Sequence, residues 1–177
     1  MKLPVLVLFC TLILLPEILF AQEPLEARPS PFEMVSMKYE DTYVKITYGR
    51  PHKRGREIFG NLVPYGEIWR TGANEATEIT ITKPINMAGN ELAAGTYTIF
   101  SIPNEKSWTI ILNTDLGQWG AYKYQEKLDA LRFDIESEKI DQIYEPFTIE
   151  FEQEEQVTNL LITWETTRIR IPLEFYH

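Results

Sequence analysis

Apolar residues recur at every second position over most of the chain. Between residues 42 and 48, for example, Val44, Ile46 and Tyr48 alternate with polar residues. A period of two places one face of a β-strand on a core and the other in water. The same pattern predicts further strands at residues 78–82, 96–102, 108–112, 147–151, 160–164 and 168–175.

Turn sequences separate several of these predicted strands. Residues 88–90, 94–95 and 103–106 carry the Gly, Asn and Pro residues that favour turns. Pro172 lies within the last predicted strand and indicates a sheet edge, because proline cannot donate a ladder hydrogen bond. Helical spacing is limited to a turn or two near residues 122–131. The pattern predicts an all-β fold, either an antiparallel β-sandwich or a jelly-roll-like barrel.

The alternation also predicts the domain organisation and the core. Residues 22–31 contain three prolines, which favour an extended and mobile leader. We expect residues 32–177 to form a single β-sandwich domain without internal repeats. Its predicted core side chains are Val44, Ile46, Ile79, Ile81, Ile99, Ile110, Leu112, Ile149, Leu161, Ile169 and Ile171.

The N-terminus has the composition of a secretion signal. A positively charged start is followed by the apolar residues 3–15, and Ala21 stands before a polar boundary. The apolar stretch is shorter than the roughly 20 residues that a membrane span needs. We therefore expect residues 1–21 to be cleaved, rather than retained as an anchor or acylated at Cys10. The mature protein is expected to be periplasmic or extracellular, with no stable membrane span.

Composition limits the chemistry of the mature chain. Cys10, the only cysteine, leaves with the predicted signal, so no disulfide, thiol nucleophile or cysteine metal site is expected. Export without disulfides favours a bacterial periplasm or surface. Only His52 and His177 are available, which excludes a three-histidine metal site, and we predict no metal and no cofactor. The formal net charge of −9 argues against nucleic-acid binding.

One long segment, residues 48–77, breaks the alternating pattern and predicts a long functional loop. It is rich in Gly, Pro and aromatic residues, and residues 50–56 carry four cations and no anion. Its large aromatic side chains argue against disorder. The acidic run at 126–156, with eleven Asp or Glu against three Lys or Arg, is instead typical of a solvated face.

Motifs in and after this loop resemble one family. They are Arg50-Pro51, Gly55-Arg56, Ile58-Phe59-Gly60, Leu62-Val63-Pro64-Tyr65-Gly66 and residues 69–77, followed by residues 94–97 and 117–122. These motifs extend over nearly the whole mature chain, which resembles the domain of unknown function 2911 family. The members of that family are mostly exported proteins of Bacteroidetes. The resemblance implies export and a β-sandwich-like fold. The family is one of unknown function, so the resemblance assigns no catalytic role.

The loop itself predicts a ligand site that combines forked cations, an amide, a carboxylate and ring faces. Arginine forks suit carboxylate or phosphate oxygens, and aromatic rings offer flat apolar walls with polar tips. The leading interpretation is a non-catalytic binding or accessory module for a small anionic or carbohydrate-like ligand. The predicted ligand-binding residues are Arg50, Arg56, Tyr65, Trp69, Arg70, Asn74, Glu75 and Trp119.

Two other classes of function remain open from the sequence. The chain could be a metal-independent hydrolase or lyase that uses Glu75 or Glu67 as acid/base, with an arginine stabilising developing negative charge. It could also be a structural or interaction protein, in which the arginines pair with Glu57, Glu67 and Glu75 and only pin the loop. The sequence does not decide the oligomeric state or the identity of the small-molecule ligand.

Overall fold

The protein is almost entirely β-stranded. The structure, a computed structural model, describes residues 27–154 and 157–176, without the side chain of Glu154, so the predicted signal peptide lies outside the described residues. Within the described ranges no helix is long and apolar enough to cross a membrane. The elements are β1 (Phe32–Tyr39), β2 (Thr42–Gly49), β3 (Thr77–Ile81), β4 (Ile85–Met87), β5 (Asn90–Leu92), β6 (Gly95–Pro103), β7 (Ser107–Asn113), a 3₁₀ turn (Glu126–Leu128), β8 (Asp129–Glu154) and β9 (Val157–Phe175).

The strands form one antiparallel sheet in the order β1-β2-β3-β6-β7-β8-β9-β4-β5. The sheet is not closed into a barrel, so the predicted all-β, sandwich-like fold is confirmed and the barrel alternative does not form. The long strand β8 connects the two halves, because it pairs with β7 over residues 129–136 and with β9 from Ser137 onward. Side chains from both halves meet in one large core, and a second, smaller cluster is formed by Ala76, Phe100 and Ile111.

The period of two predicted the core correctly. Every side chain that the alternation placed in the core is buried, from Val44 at 0% exposure to Leu161 at 3%. The expectation of an edge strand at Pro172 is wrong, because β9 lies between β8 and β4 in the sheet. Pro172 itself lies beyond the Ser137–Ile169 pair where the β8–β9 ladder begins. Its missing N–H therefore costs no bond of that ladder, and its carbonyl accepts from the Ala88 N–H at 2.9 Å.

Four stretches of strand are absent from the sequence-based prediction, namely β1, the three-residue strands β4 and β5, and the first half of β8. β1 has only partly buried residues on its inner face, which weakens the apolar alternation. The first half of β8 does alternate, with Leu131, Phe133 and Ile135 packed against the core. The acidic residues in this half of β8 are typical of a solvated segment. A β-strand can nevertheless be acidic on its outer face and apolar on its inner face, because successive side chains point to opposite faces.

The long connection between β2 and β3, residues 50–76, packs onto the core instead of projecting into water. It begins beside a pairing irregularity in β8, where the Lys53 N–H donates to the Glu145 carbonyl at 2.7 Å and the Phe147 N–H donates to the Pro51 carbonyl at 2.8 Å. Further along, apolar side chains of the connection enter the core, namely Ile58, Phe59, Val63 and Trp69. We call residues 50–76 the plug loop.

Candidate functional site

Trp69 holds the plug loop in the core. Its side chain is 8% exposed and stacks on Trp164 with ring centroids 6.1 Å apart. Its indole N–H donates to the Gly72 carbonyl at 3.1 Å, so the polar tip has a partner within the loop. Trp108 and Phe147 pack edge-on against the same ring. Trp69 is thus mainly a core residue, and only its margin can face a ligand.

A cavity of about 250 Å³ opens beside Trp69, and we call it the Arg70 cavity. Four of the eight residues predicted from the sequence to bind ligand line it, so the tertiary structure does bring part of the predicted set together. No carboxylate is among its described lining residues, which are Ser30, Arg56, Leu62, Val63, Trp69, Arg70, Gly72, Ala73, Asn74 and Trp164.

Arg70 is the unusual residue of this cavity. Its side chain forms no ion pair or hydrogen bond with any described residue, and its buried Nε–H has no acceptor. Burial lowers the pKa of Arg70, while the Tyr122 hydroxyl opposes that shift. The guanidinium stays charged at neutral pH, because the ordinary pKa of arginine is far higher. A half-buried cation without a partner is costly, and an anion in the cavity would supply the partner.

Arg56 and Asn74 complete the polar wall. The Arg56 Nε donates to the Lys53 carbonyl at 3.0 Å and its Nη2 donates to the His52 carbonyl at 2.6 Å. Two carbonyl acceptors fix the position of the guanidinium without neutralising its charge. Asn74 adopts a left-handed backbone with φ of +63°, and its Nδ2 donates to the Ser30 carbonyl at 3.2 Å. The cavity therefore presents two cations that are not neutralised by a described carboxylate.

The other predicted ligand-binding residues lie elsewhere. Arg50 pairs with Glu33 on β1 at 3.3 Å. Tyr65 is 36% exposed at the surface of the plug loop and covers Gly60. Trp119 lies 60% exposed on the loop between β7 and β8, where it lines a different cavity. None of these three side chains is among the residues that line the Arg70 cavity.

The two candidate acid/base residues have different surroundings. Glu75 accepts from the Arg28 Nη1 at 2.7 and 2.9 Å and lines a separate, smaller depression next to β1. Burial raises the pKa of Glu75, but hydrogen bonds from its own backbone N–H and from Arg28 outweigh that effect, so the net shift is downward. This direction is opposite to the one that a general acid at neutral pH needs. Glu67 is exposed, and neither carboxylate lines the Arg70 cavity.

The arginine–glutamate network that would only pin the plug loop does not form among the described residues. Arg50 pairs with Glu33, and Glu75 pairs with Arg28, which lies in the leader. No described ion pair joins Arg56 or Arg70 to Glu57, Glu67 or Glu75. The loop is instead held by its backbone hydrogen bonds, its apolar side chains and ion pairs to residues outside it, such as Lys53 to Glu165 at 2.8 Å.

Sequence reasoning missed the contribution of the leader. The described part of it, residues 27–31, is attached to the plug loop through three contacts besides the Arg28–Glu75 pair. The Arg54 Nη2 donates to the Pro29 carbonyl, Asn74 donates to the Ser30 carbonyl, and the Arg50 N–H donates to the Pro31 carbonyl. Ser30 lines the Arg70 cavity as a result. The acceptors are backbone carbonyls, which leave no signal in the sequence.

The described residues offer no obvious place for a metal ion. Residues 27–154 and 157–176 contain no group of three or more His, Cys, Asp or Glu side chains arranged to hold one. The chemistry of the Arg70 cavity is instead that of an anion site, because arginine provides several donors in a fixed fork and no acceptor.

Comparison with known proteins gives one match. A family model described as protein of unknown function, DUF2911, matches residues 30–173 and therefore spans the plug loop and all of the sheet except the last two residues of β9. Neither the curated proteins nor the solved structures contain a significant match.

Proposed function

We propose that this chain, which belongs to the DUF2911 family, is a non-catalytic binding module. Its ligand is a small oxyanion that binds in the Arg70 cavity. The ligand group is a carboxylate, phosphate or sulfate, since each matches the arginine fork. The observation that carries the proposal is the half-buried Arg70 guanidinium, whose side chain has no partner among the described residues.

Several features of the cavity support an anionic ligand of limited size. Its volume of about 250 Å³ is below the range of about 300–1,000 Å³ that drug-sized ligands occupy. Arg56 is held in place by two carbonyl acceptors before any ligand arrives, which lowers the entropic cost of binding. Leu62, Val63 and Trp164 provide apolar walls that strengthen a charge pair by excluding water.

The binding test is a thermal-shift titration with acetate, succinate, phosphate and sulfate in a chloride buffer at neutral pH. We expect at least one oxyanion to raise Tm of the wild type, because a ligand that binds only the folded state stabilises it. Arg70→Met, which keeps the side-chain length but not the charge, should abolish this shift. Lys127→Ala, an equal charge change at an exposed position outside the cavity, should leave it intact.

A stability measurement on the same variants separates binding from loop pinning. Arg70→Met removes an unpartnered, half-buried cation, so the free energy of unfolding should stay the same or rise by about 1 kcal/mol. A loss of several kcal/mol would show that Arg70 is structural. The proposal would also be wrong if no oxyanion shifts the wild-type Tm, or if the shift persists in Arg70→Met.

We also propose that the protein acts outside the cytoplasm, in the periplasm or beyond the cell. The support is the signal-like composition of residues 1–21, which lie outside the described residues. The intact mass of exported protein should correspond to a chain that begins at or near Gln22. Full-length chain recovered from a membrane fraction would contradict this.

A further inference from the structure

The loop between β7 and β8 carries a second cavity that the proposed function does not use. Trp119 is 60% exposed and Tyr122 is 86% exposed, an unusual amount of aromatic surface on one short loop. Both side chains line a cavity of about 490 Å³ together with Asp115, Gln118 and Lys123. We call this cavity and its two rings the aromatic platform.

The backbone under the platform is firmly attached to the sheet. The Gly117 N–H donates to the Glu78 carboxylate at 2.8 Å, and the Gly120 N–H donates to the Asn74 carbonyl at 3.0 Å. Gln118 is tied in as well, because its carbonyl accepts from the Ala76 N–H at 2.8 Å. The rings are therefore exposed on a fixed frame, which is the arrangement that a preorganised binding site needs.

Gly120 leaves room for the Tyr122 ring beside the loop backbone. Its φ is +73°, and a Cβ at this position would lie 2.5 Å from Cε2 of Tyr122. Real Cβ atoms do not approach a ring so closely, so glycine allows the Tyr122 ring to lie over the backbone. The exposed ring is thus supported from below.

Gln118 supplies an observation that points to a ligand. The side chain is 8% exposed, and its Nε2 donates to Asp115 Oδ2 at 2.8 Å. The Oε1 is buried and receives no hydrogen bond from any described residue. A buried acceptor without a donor costs free energy, and Gln118 lines the platform cavity, where a ligand could provide the donor.

We propose that the aromatic platform binds a neutral sugar ring. The C–H groups of a sugar carry slight positive charge and suit the negative faces of Trp119 and Tyr122. Sugar hydroxyls both donate and accept, so they can donate to Gln118 Oε1 and Asp115 and accept from Lys123. Asp115 disfavours an anion and Lys123 disfavours a cation, which leaves a neutral polyhydroxyl ligand. The inference does not rest on the oxyanion function of the Arg70 cavity.

Sugar binding by the aromatic platform can be tested by affinity electrophoresis in gels that contain a soluble polysaccharide. The four polysaccharides are hydroxyethyl cellulose, laminarin, galactomannan and xylan, and polyethylene glycol serves as a polymer that is not a sugar. At least one of the four should retard the wild type, and polyethylene glycol should not. Trp119→Ala should weaken the retardation about tenfold, the size expected for losing one ring face, while Trp119→Phe should restore part of it.

One control variant makes the test specific to the platform. Tyr176→Ala removes an aromatic ring that is 51% exposed near the end of β9 and should bind like the wild type. If no sugar polymer retards the wild type, or if Trp119→Ala binds equally well, the proposal is wrong. A wild-type dimer that Trp119→Ala dissociates, without sugar binding, would identify a protein contact instead and also overturn it.

Discussion

Neighbouring residues on the plug loop have opposite roles because the chain there is extended. Trp69 pairs through its backbone with Ser101 on β6, in an isolated antiparallel bridge. Adjacent side chains of extended backbone point to opposite sides. Trp69 therefore packs into the aromatic core, whereas Arg70 is only half buried and reaches a cavity. A composition-based interpretation treats the two as one site, although they differ in burial and in hydrogen bonding.

Tyr124 gives a prediction at the same scale. Its hydroxyl donates to Asp129 Oδ2 at 2.7 Å and accepts from Arg132. Burial and Asp129 raise the pKa of Tyr124 from 10.0 to about 12. Because the folded-state pKa lies above the unfolded one, the stabilisation is complete below pH 10 and is lost as the pH rises through about 12.

Ultraviolet titration of the wild type against Tyr124→Phe should isolate this group. We expect Tyr124, the phenol that the variant lacks, to ionise at a higher pH than an ordinary tyrosine. At neutral pH, Tyr124→Phe should lower the free energy of unfolding by about 1 kcal/mol, through the loss of the bond to Asp129. A difference titration centred near pH 10 would contradict the assignment.

At the scale of elements, the plug loop is attached at both ends. Its start crosses to the irregular part of β8, and Lys53 also pairs with Glu165 of β9 at 2.8 Å. Its end returns beside β2, where the Ala73 N–H donates to the Gly49 carbonyl at 3.1 Å. The two chain segments at Gly49 and Ala73 lie so close that only a residue without a Cβ fits. The glycine at the end of β2 therefore decides how the loop closes.

Gly49→Ala tests this close approach. A Cβ on Gly49 would lie 1.9 Å from the Ala73 carbonyl oxygen, so the backbone would have to move. We expect the free energy of unfolding to fall by about 3 kcal/mol or more, or the variant to fail to fold. Gly89→Ala is the matched control, since its Cβ would meet nothing within 4 Å. Its positive φ limits the cost there to about 1–2 kcal/mol. Equal losses in urea denaturation would refute the steric explanation.

At the scale of the whole molecule, the sheet and the plug loop share one core. Phe59 and Trp69 of the loop contact Trp108 of β7 and Trp164 of β9. These strands lie in different halves of the sheet, so the loop fills the space between them. In the first half of β8, Asp134, Glu136 and Glu138 are exposed, so these carboxylates add no charge to the shared core.

Shared packing predicts that the loop and the sheet unfold together. Three of the four tryptophans, Trp69, Trp108 and Trp164, are buried in the common core, and Trp119 is exposed. In Trp119→Phe, tryptophan fluorescence reports only on the core. Its urea transition should coincide with that of far-ultraviolet circular dichroism, as cooperative two-state unfolding requires. A fluorescence transition at lower urea concentration would show that the plug loop detaches independently.

Much of the fold could be predicted from the sequence because strand formation leaves a local signal. Val44, Ile46 and Ile79 alternate with polar residues, and burial of one face of a strand requires such alternation. The family resemblance was likewise carried by local motifs and is confirmed over residues 30–173. The signal failed in the first half of β8, where charge obscured it, in β1, which is only partly buried, and in β4 and β5, which have only three residues each.

Only the tertiary structure decided how the candidate site is divided. The sequence by itself determined that forked cations, an amide and aromatic rings are concentrated in the segment that became the plug loop. It could not show that Arg50 and Glu75 have partners in Glu33 and Arg28 while Arg70 has none among the described residues. Pairing depends on which chain segments meet in space, and here the partners come from β1 and the leader. The backbone carbonyls that hold Arg56 and Asn74 are common to every residue type, so no sequence pattern marks them.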